Sequence, residues 1–133
     1  MGAGVDNQKQ KAYERRFERV FHYIENHLDE KLSVEQLSQV AHSSKFHFHR
    51  QFSQYAGLGV NAYVRQLRLK RASYQLVFSQ QRIIDIALEA GFDSPEAFAR
   101  AFRKEIGQSP SQFRLSPTWQ PWSERLRLPP RPR

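Results

Sequence analysis

Cysteine is absent from the 133 residues, which excludes a disulfide framework and any thiolate-bound metal, and suits a reducing compartment. Long apolar runs are also missing, since no stretch approaches the roughly 20 residues needed to span a bilayer. Met1–Lys11 lacks the apolar core of a signal peptide. No G-x-S-x-G elbow or phosphate-cradling G-x-x-x-x-G-K-[ST] loop occurs. The chain has room for one or two small helical units, but not for an enzyme with a separate cofactor domain. The expectation is therefore a cytoplasmic, non-enzymatic protein without a cofactor.

Acidic residues are missing from one long stretch. None occurs between Gln36 and Ile84, where Lys45, Arg50, Arg65, Arg68, Lys70, Arg71 and Arg82 all lie, and the whole chain carries a net charge of +8. The acids gather near the start and after Asp85 instead. An acid-free basic segment beside a more neutral one points to a polyanionic partner.

Apolar residues are present at 39%, with 10 Phe among them, enough for a packed core. Their spacing is helical throughout, and no strand pattern stands out. Phe17, Val20, Phe21, Ile24 and Leu28 form one stripe and predict a helix over 13–28. Ser33 with Gln36 is a capping box that opens a short helix running to about Ala41. Ser43 or Ser44 starts the next, Lys45–Tyr55, with Phe48, Phe52 and Tyr55 inside and Gly57 as its left-handed stop. Asn61 is expected to cap a long helix to about Phe78, buried through Val64, Leu67, Ala72 and Leu76. A short helix from Ile83 ends at Gly91; Ser94-Pro95 opens another to Ile106, stopped by Gly107. Ser109-Pro110-Ser111-Gln112 begins a final turn that carries Phe113.

The sequence also matches itself without a gap at an offset of 50. Val34 falls on Ile84, Leu37 on Ala87, Ala41 on Gly91, Ser44 on Ser94, Phe48 on Phe98, Arg50 on Arg100, Phe52 on Phe102, Gly57 on Gly107 and Tyr63 on Phe113. A supersecondary unit used twice is expected: a short helix, a tight turn, then a longer helix. That is the helix-turn-helix plan, in which the second helix enters the major groove. The predicted fold class is all-α, with about seven helices. Its parts are a disordered arm over 1–12, a first subdomain over 13–59, a linker helix over 60–80, a second subdomain over 81–115 and a proline-rich tail over 116–133. A linker helix of roughly 18 residues is about 27 Å long. With its flanking caps it would hold two reading helices near the ~34 Å repeat of successive major grooves. One molecule would then bind an asymmetric site as a monomer.

The positions left outward by the core phenylalanines are the candidates for touching DNA. Arg50 and Arg100 are equivalent, and each can reach a guanine through O6 and N7. His49 can donate to the same edge or to phosphate, and Glu96 can accept from a cytosine amine. Phe46 either packs on a thymine methyl or plugs a groove between the two units. Lys45, Asn61, Arg65, Arg68, Arg71, Arg82 and Arg103 are expected on phosphate or solvent, with Ser44 and Ser94 first as helix caps and then as phosphate contacts. His42, His47 and His49 do not make a metal site, because His47 and His49 face differently and no carboxylate is near them in sequence.

Three segments carry a resemblance to a known family. They are Ile83–Phe92 (IIDIALEAGF), Asp93–Phe102 (DSPEAFARAF) and Gly107–Arg114 (GQSPSQFR), supported by Leu32–Leu37 and Phe46–Phe52 upstream. Over about residues 13–115 the sequence resembles the AraC/XylS family of bacterial transcription regulators. The resemblance implies a seven-helix DNA-binding domain with two helix-turn-helix units, and base contacts at Phe46, His49, Arg50, Glu96 and Arg100. It also implies a nucleoid-associated activator that recruits RNA polymerase. The wording departs from the stand-alone multidrug-resistance activators, with Phe, His and Glu where those have Trp, Gln and Gln, so their operator does not transfer. It is closer to regulators in which a GyrI-like ligand-binding domain follows. The tail holds five of the seven prolines and both tryptophans, and reads as a linker into which Trp119 and Trp122 bring docking side chains. A fragment of a longer sensor is the expectation, with a small regulator controlled by its own abundance as the alternative. Two other functions stay open on the residues alone: a basic module docking an acidic protein, and a sequence-indifferent nucleoid protein.

Overall fold

The computed structural model describes residues 3–119, with side chains from Lys11 onward apart from Tyr13. Among them are seven α-helices: α1 (Ala3–Asn26), α2 (Val34–Val40), α3 (Lys45–Ala56), α4 (Val60–Phe78), α5 (Ile83–Glu89), α6 (Pro95–Ile106) and α7 (Pro110–Leu115). The described residues contain no strand, and none of their helices is long and apolar enough to cross a membrane. They form two compact units that divide between Tyr63 and Val64.

The first unit is built on aromatic rings. α1 buries Phe17, Val20, Phe21 and Ile24 along the stripe read from the sequence. Phe17 lies 6.4 Å from Phe48 and 4.9 Å from Tyr55, while Phe21 lies 5.8 Å from Phe52 and 5.3 Å from Tyr63. α1 is longer than the stripe predicts. It begins at Ala3, where an unstructured arm through residue 12 is expected; Gln8–Ala12, a run of good helix formers without a breaker, continues the helix back from the stripe.

The second unit packs Leu69, Ala72 and Leu76 of α4 against Ile86, Ala87 and Ala90, then Phe98, Phe102 and Ile106 of α6 and Phe113 of α7. Leu69 and Ser73, both fully buried, extend the core face expected of α4. Trp119 closes one side, 5.1 Å from Phe113 and 5.5 Å from Tyr74. The rest of the proline-rich tail, Trp122 included, lies outside the described residues.

Local signals fix most helix ends. The Ser33–Gln36 capping box forms in both directions, and a second one joins Ser109 to Gln112. Gly57 and Gly107 take the left-handed conformation, with φ of 79° and 92°, and stop α3 and α6. α4 starts earlier than expected. The Tyr63 N–H donates to the Gly59 carbonyl at 2.9 Å, so Gly59 holds the cap place and Asn61 sits exposed within the first turn.

The repeat is real but carries a one-residue step. α3 and α6 correspond at the offset of 50: their bounds match, Ser44 and Ser94 each accept from the third residue on, and the paired glycines both take the left-handed conformation. The Phe48–Phe52 and Phe98–Phe102 centroids are 5.7 and 5.5 Å apart, and Phe52–Tyr63 and Phe102–Phe113 are edge-on at 5.4 Å each. The preceding helices align at 49 instead. Ser33, Val34 and Ala41 correspond to Arg82, Ile83 and Ala90, and buried Leu37, Ser38 and Ala41 correspond to buried Ile86, Ala87 and Ala90. The gapless match of Leu37 with Ala87 and Ala41 with Gly91 is thus corrected. The second turn is longer by one residue, running Ala90–Ser94 against Ala41–Ser44. Small apolar residues at neighbouring positions made both registers look acceptable in sequence.

Candidate nucleic-acid interface

In each unit the longer helix is held from one side only. Phe48, Phe52 and Ala56 bury one face of α3, and Phe98, Phe102 and Ile106 bury the matching face of α6. The opposite face of α3 carries Phe46, His49 and Arg50, all exposed. Phe46 is 78% exposed, which removes it from the core of its own unit and leaves an aromatic ring available to a partner. On α6, Glu96, Arg100 and Arg103 are exposed at successive turns of one face. Both sets of expected base-contacting side chains are thus gathered, one set on each longer helix.

A serine caps each helix start; the first turn of α3 has no acidic residue, and that of α6 has Glu96. The Ser44 hydroxyl accepts from the His47 N–H at 3.2 Å, and the Ser94 hydroxyl from the Ala97 N–H at 3.1 Å. Next to Ser44, Lys45 Nζ lies 3.3 Å from a Glu35 carboxylate oxygen, an exposed pair that a stronger anion can displace. Arg82 is similar, with Nε 3.1 Å from Asp85.

The arginines of α4 were expected together on phosphate, but their surroundings differ. Arg65 is exposed, with its guanidinium 5.8 Å from the Phe92 ring centroid. Arg68 is half-buried and passes beside Gly91, where a Cβ would stand 3.2 Å from its Nη1. Arg71 is half-buried too, and its Nη2 donates to the Glu89 carbonyl at 2.9 Å. Arg71 thus holds the second unit's turn, with Arg68 packed beside it.

Arg114 has a role that the sequence pattern does not assign. From α7 its Nε donates to the Leu76 carbonyl at 2.8 Å and its Nη2 to the Gln81 carbonyl at 2.6 Å. A cation thereby closes the end of α4, where orphan carbonyls and the helix dipole favour positive charge. In the repeat it falls on the buried Val64, so the duplicated pattern carries no signal for it, and nothing local reveals which carbonyls it meets. Glu89 is a second omission. Its carboxylate accepts from the Gln75 amide at 2.8 Å and from the Gln81 amide at 3.0 Å. Among the described residues no group of three or more His, Asp or Glu converges into a possible metal site.

Comparison with known proteins gives the arrangement a context. The sequence profile of a helix-turn-helix domain family matches residues 37–116. The chain is 42% identical over 102 residues to the uncharacterized HTH-type transcriptional regulator YbfP of Bacillus subtilis, covering 77% of this chain but only 35% of that protein. It is 36% identical over 96 residues to the HTH-type transcriptional activator AarP of Providencia stuartii, covering 72% of this chain and 71% of that protein. Among solved structures, the DNA-binding domain of the global transcriptional factor AdpA in complex with a target DNA superposes with a TM-score of 0.67 at 30% identity, covering 73% of this chain and 87% of that one. The chain thus spans about a third of the length of the Bacillus relative.

Proposed function

The chain belongs to the AraC-type helix-turn-helix family of DNA-binding transcription regulators, and from that premise we propose that it reads one asymmetric DNA site as a monomer, with α3 and α6 in two successive major grooves. The observation that carries this reading is the equivalence of Arg50 and Arg100. Each is an exposed guanidinium on the outer face of a longer helix whose serine cap, phenylalanine anchors and glycine stop recur in the other unit. Each guanidinium has the reach and fork geometry to hold a guanine. Phe46 and His49 extend the contact in the first half-site and Glu96 in the second. Lys45, Asn61, Arg65, Arg82 and Arg103, with Ser44 and Ser94 at the helix starts, take phosphates and set register rather than sequence.

α4 has 19 residues, about 28 Å of helix. The proposed reading calls for half-sites one turn of duplex apart, about 34 Å. The regulatory output proposed is activation of bacterial transcription through recruitment of RNA polymerase. The name of the Providencia relative, an activator matched over most of its length, supports it.

Selection of bound sites from a random oligonucleotide pool tests the reading. The expected product is a non-palindromic sequence with two conserved blocks about 10 base pairs apart, bound by one chain and retained against a 1,000-fold excess of random DNA. No enrichment, or equal affinity for random duplex, would favour a sequence-indifferent nucleoid protein. A palindromic product bound by two chains would overturn the monomer. Transcription from a promoter carrying the selected site, with purified polymerase, then decides activation.

A further inference from the structure

Glu89 ends α5, the position where the helix dipole least favours a negative charge. What it meets there accounts for its presence. One carboxylate oxygen accepts from Gln75 on α4 at 2.8 Å and the other from Gln81, in the segment joining α4 to α5, at 3.0 Å. Its own carbonyl accepts from Arg71 of α4 at 2.9 Å. Two residues further on, Gly91 lies against Arg68 of α4, and Phe92 lies under Arg65 while meeting Phe98 of α6 edge-on at 5.5 Å. Arg68, Arg71 and Gln75 are three and four residues apart, so they lie along one face of α4. Between them they touch the last residue of α5 and the turn that leads into α6.

We infer that Glu89 is a positioning residue: it locks the α5–α6 turn onto the Arg68–Arg71–Gln75 face of α4 and thereby sets the direction in which α6 presents Glu96 and Arg100. The inference rests on the reading of α6 as the second reading helix. α2 of the first unit ends on Val40 and Ala41, with no carboxylate in the corresponding place. Among the described residues the end of α2 has no counterpart of this lock, nor of the extra residue in the second unit's turn.

The test uses the full chain, Glu89→Ala, Glu89→Gln and Gln75→Ala, with two readouts. The first is amide hydrogen exchange of the free protein. Glu89→Ala and Gln75→Ala should speed exchange in α5 and the start of α6 on the order of tenfold or more, and leave α3 unchanged. Glu89→Gln should stay near the parent, because an amide still offers one acceptor and a neighbouring glutamine can reverse to meet its other end. The second readout is a hydroxyl-radical footprint on the selected site. Both alanine variants should lose protection over the same half-site that Arg100→Ala loses, and keep the half that Arg50→Ala loses. Unchanged exchange at α5 and α6, or equal weakening of both halves, would overturn the inference. A parent chain that selects no sequence at all would remove the DNA reading, and the exchange comparison would still decide whether Glu89 locks the turn.

Discussion

The guanidinium of Arg68 occupies the space in front of Gly91: a Cβ added to the glycine would stand 3.2 Å from Nη1, and the glycine backbone has φ of +87°. Both facts bear on Gly91→Ala, but unequally. Arg68 is flexible at its far end and can yield a few tenths of an ångström, whereas a left-handed alanine is strained whatever the space. The expected loss is about 1–2 kcal/mol from the backbone term. Thermal melts should show nearly the same loss in an Arg68→Ala background. A loss that vanishes there would mean that the side-chain contact decides instead.

His42 holds the corresponding place in the first unit, with φ of 53° and an exposed imidazole. His42→Gly should therefore stabilise the protein by about 0.5–1 kcal/mol, because relief of the left-handed strain exceeds the added freedom of the unfolded chain. An increase in the denaturant midpoint without a change in slope would show it.

Arg114→Ala should be among the more costly surface-reaching substitutions, at about 2 kcal/mol, since it removes two charge-assisted hydrogen bonds and leaves the Leu76 and Gln81 carbonyls unmet. Arg114→Lys should recover only part of the loss, because an ammonium does not reproduce the two-pronged fork. Chemical denaturation of the three proteins checks the order. Equal stability of the lysine variant and the parent would count against a geometric role.

Burial, with the Tyr55 phenol beside it, pushes the Tyr63 hydroxyl up to about 12 from its ordinary 10.0. The folded state holds this proton more tightly than the unfolded state, so the unfolded chain binds fewer protons between those two values. Stability is then unaffected below pH 10 and falls as the pH rises from about 10 toward 12. Tyr63→Phe, the residue the second unit already has at Phe113, should flatten that fall while leaving the melt at neutral pH close to the parent. Identical alkaline curves for the two proteins would assign the loss to other groups.

Arg50→Ala and Arg100→Ala should each cost about 1–3 kcal/mol on the selected site and relax the preference at one base pair, in opposite halves of the site. Arg103→Ala should weaken all duplexes alike and reduce the salt slope by about one unit. Gel shifts on matched and single-mismatch duplexes over a range of salt separate the two behaviours. If Arg50→Ala reduced binding to random and selected DNA equally, its assignment to a base would fail.

The helices, most of their ends and the inner face of each longer helix were legible in the sequence because the interactions that define them are short. A serine cap reaches three residues on, an apolar stripe returns every turn, and a left-handed glycine acts at its own position. For the same reason, the spacing of Phe48, Phe52, Phe98 and Phe102 alone places Arg50 and Arg100 outward. α1 ran past the apolar stripe because nothing in Gln8–Ala12 opposes helix, and that stretch carries no periodic apolar signal to announce it.

What the sequence by itself determined, then, is an all-helical chain with a duplicated unit and two exposed, basic helix faces, each resolved by contacts within a few residues. Tertiary structure alone decided the step from 50 to 49 in the repeat, the capping of α4 by Arg114 from 38 and 33 residues away, and the engagement of Arg71 with Glu89 across 18 residues. A side chain such as arginine is equally suited to solvent, phosphate or a helix carbonyl. Which of these it meets depends on which distant backbone the fold brings within about 3 Å of it, and no local pattern encodes that distance.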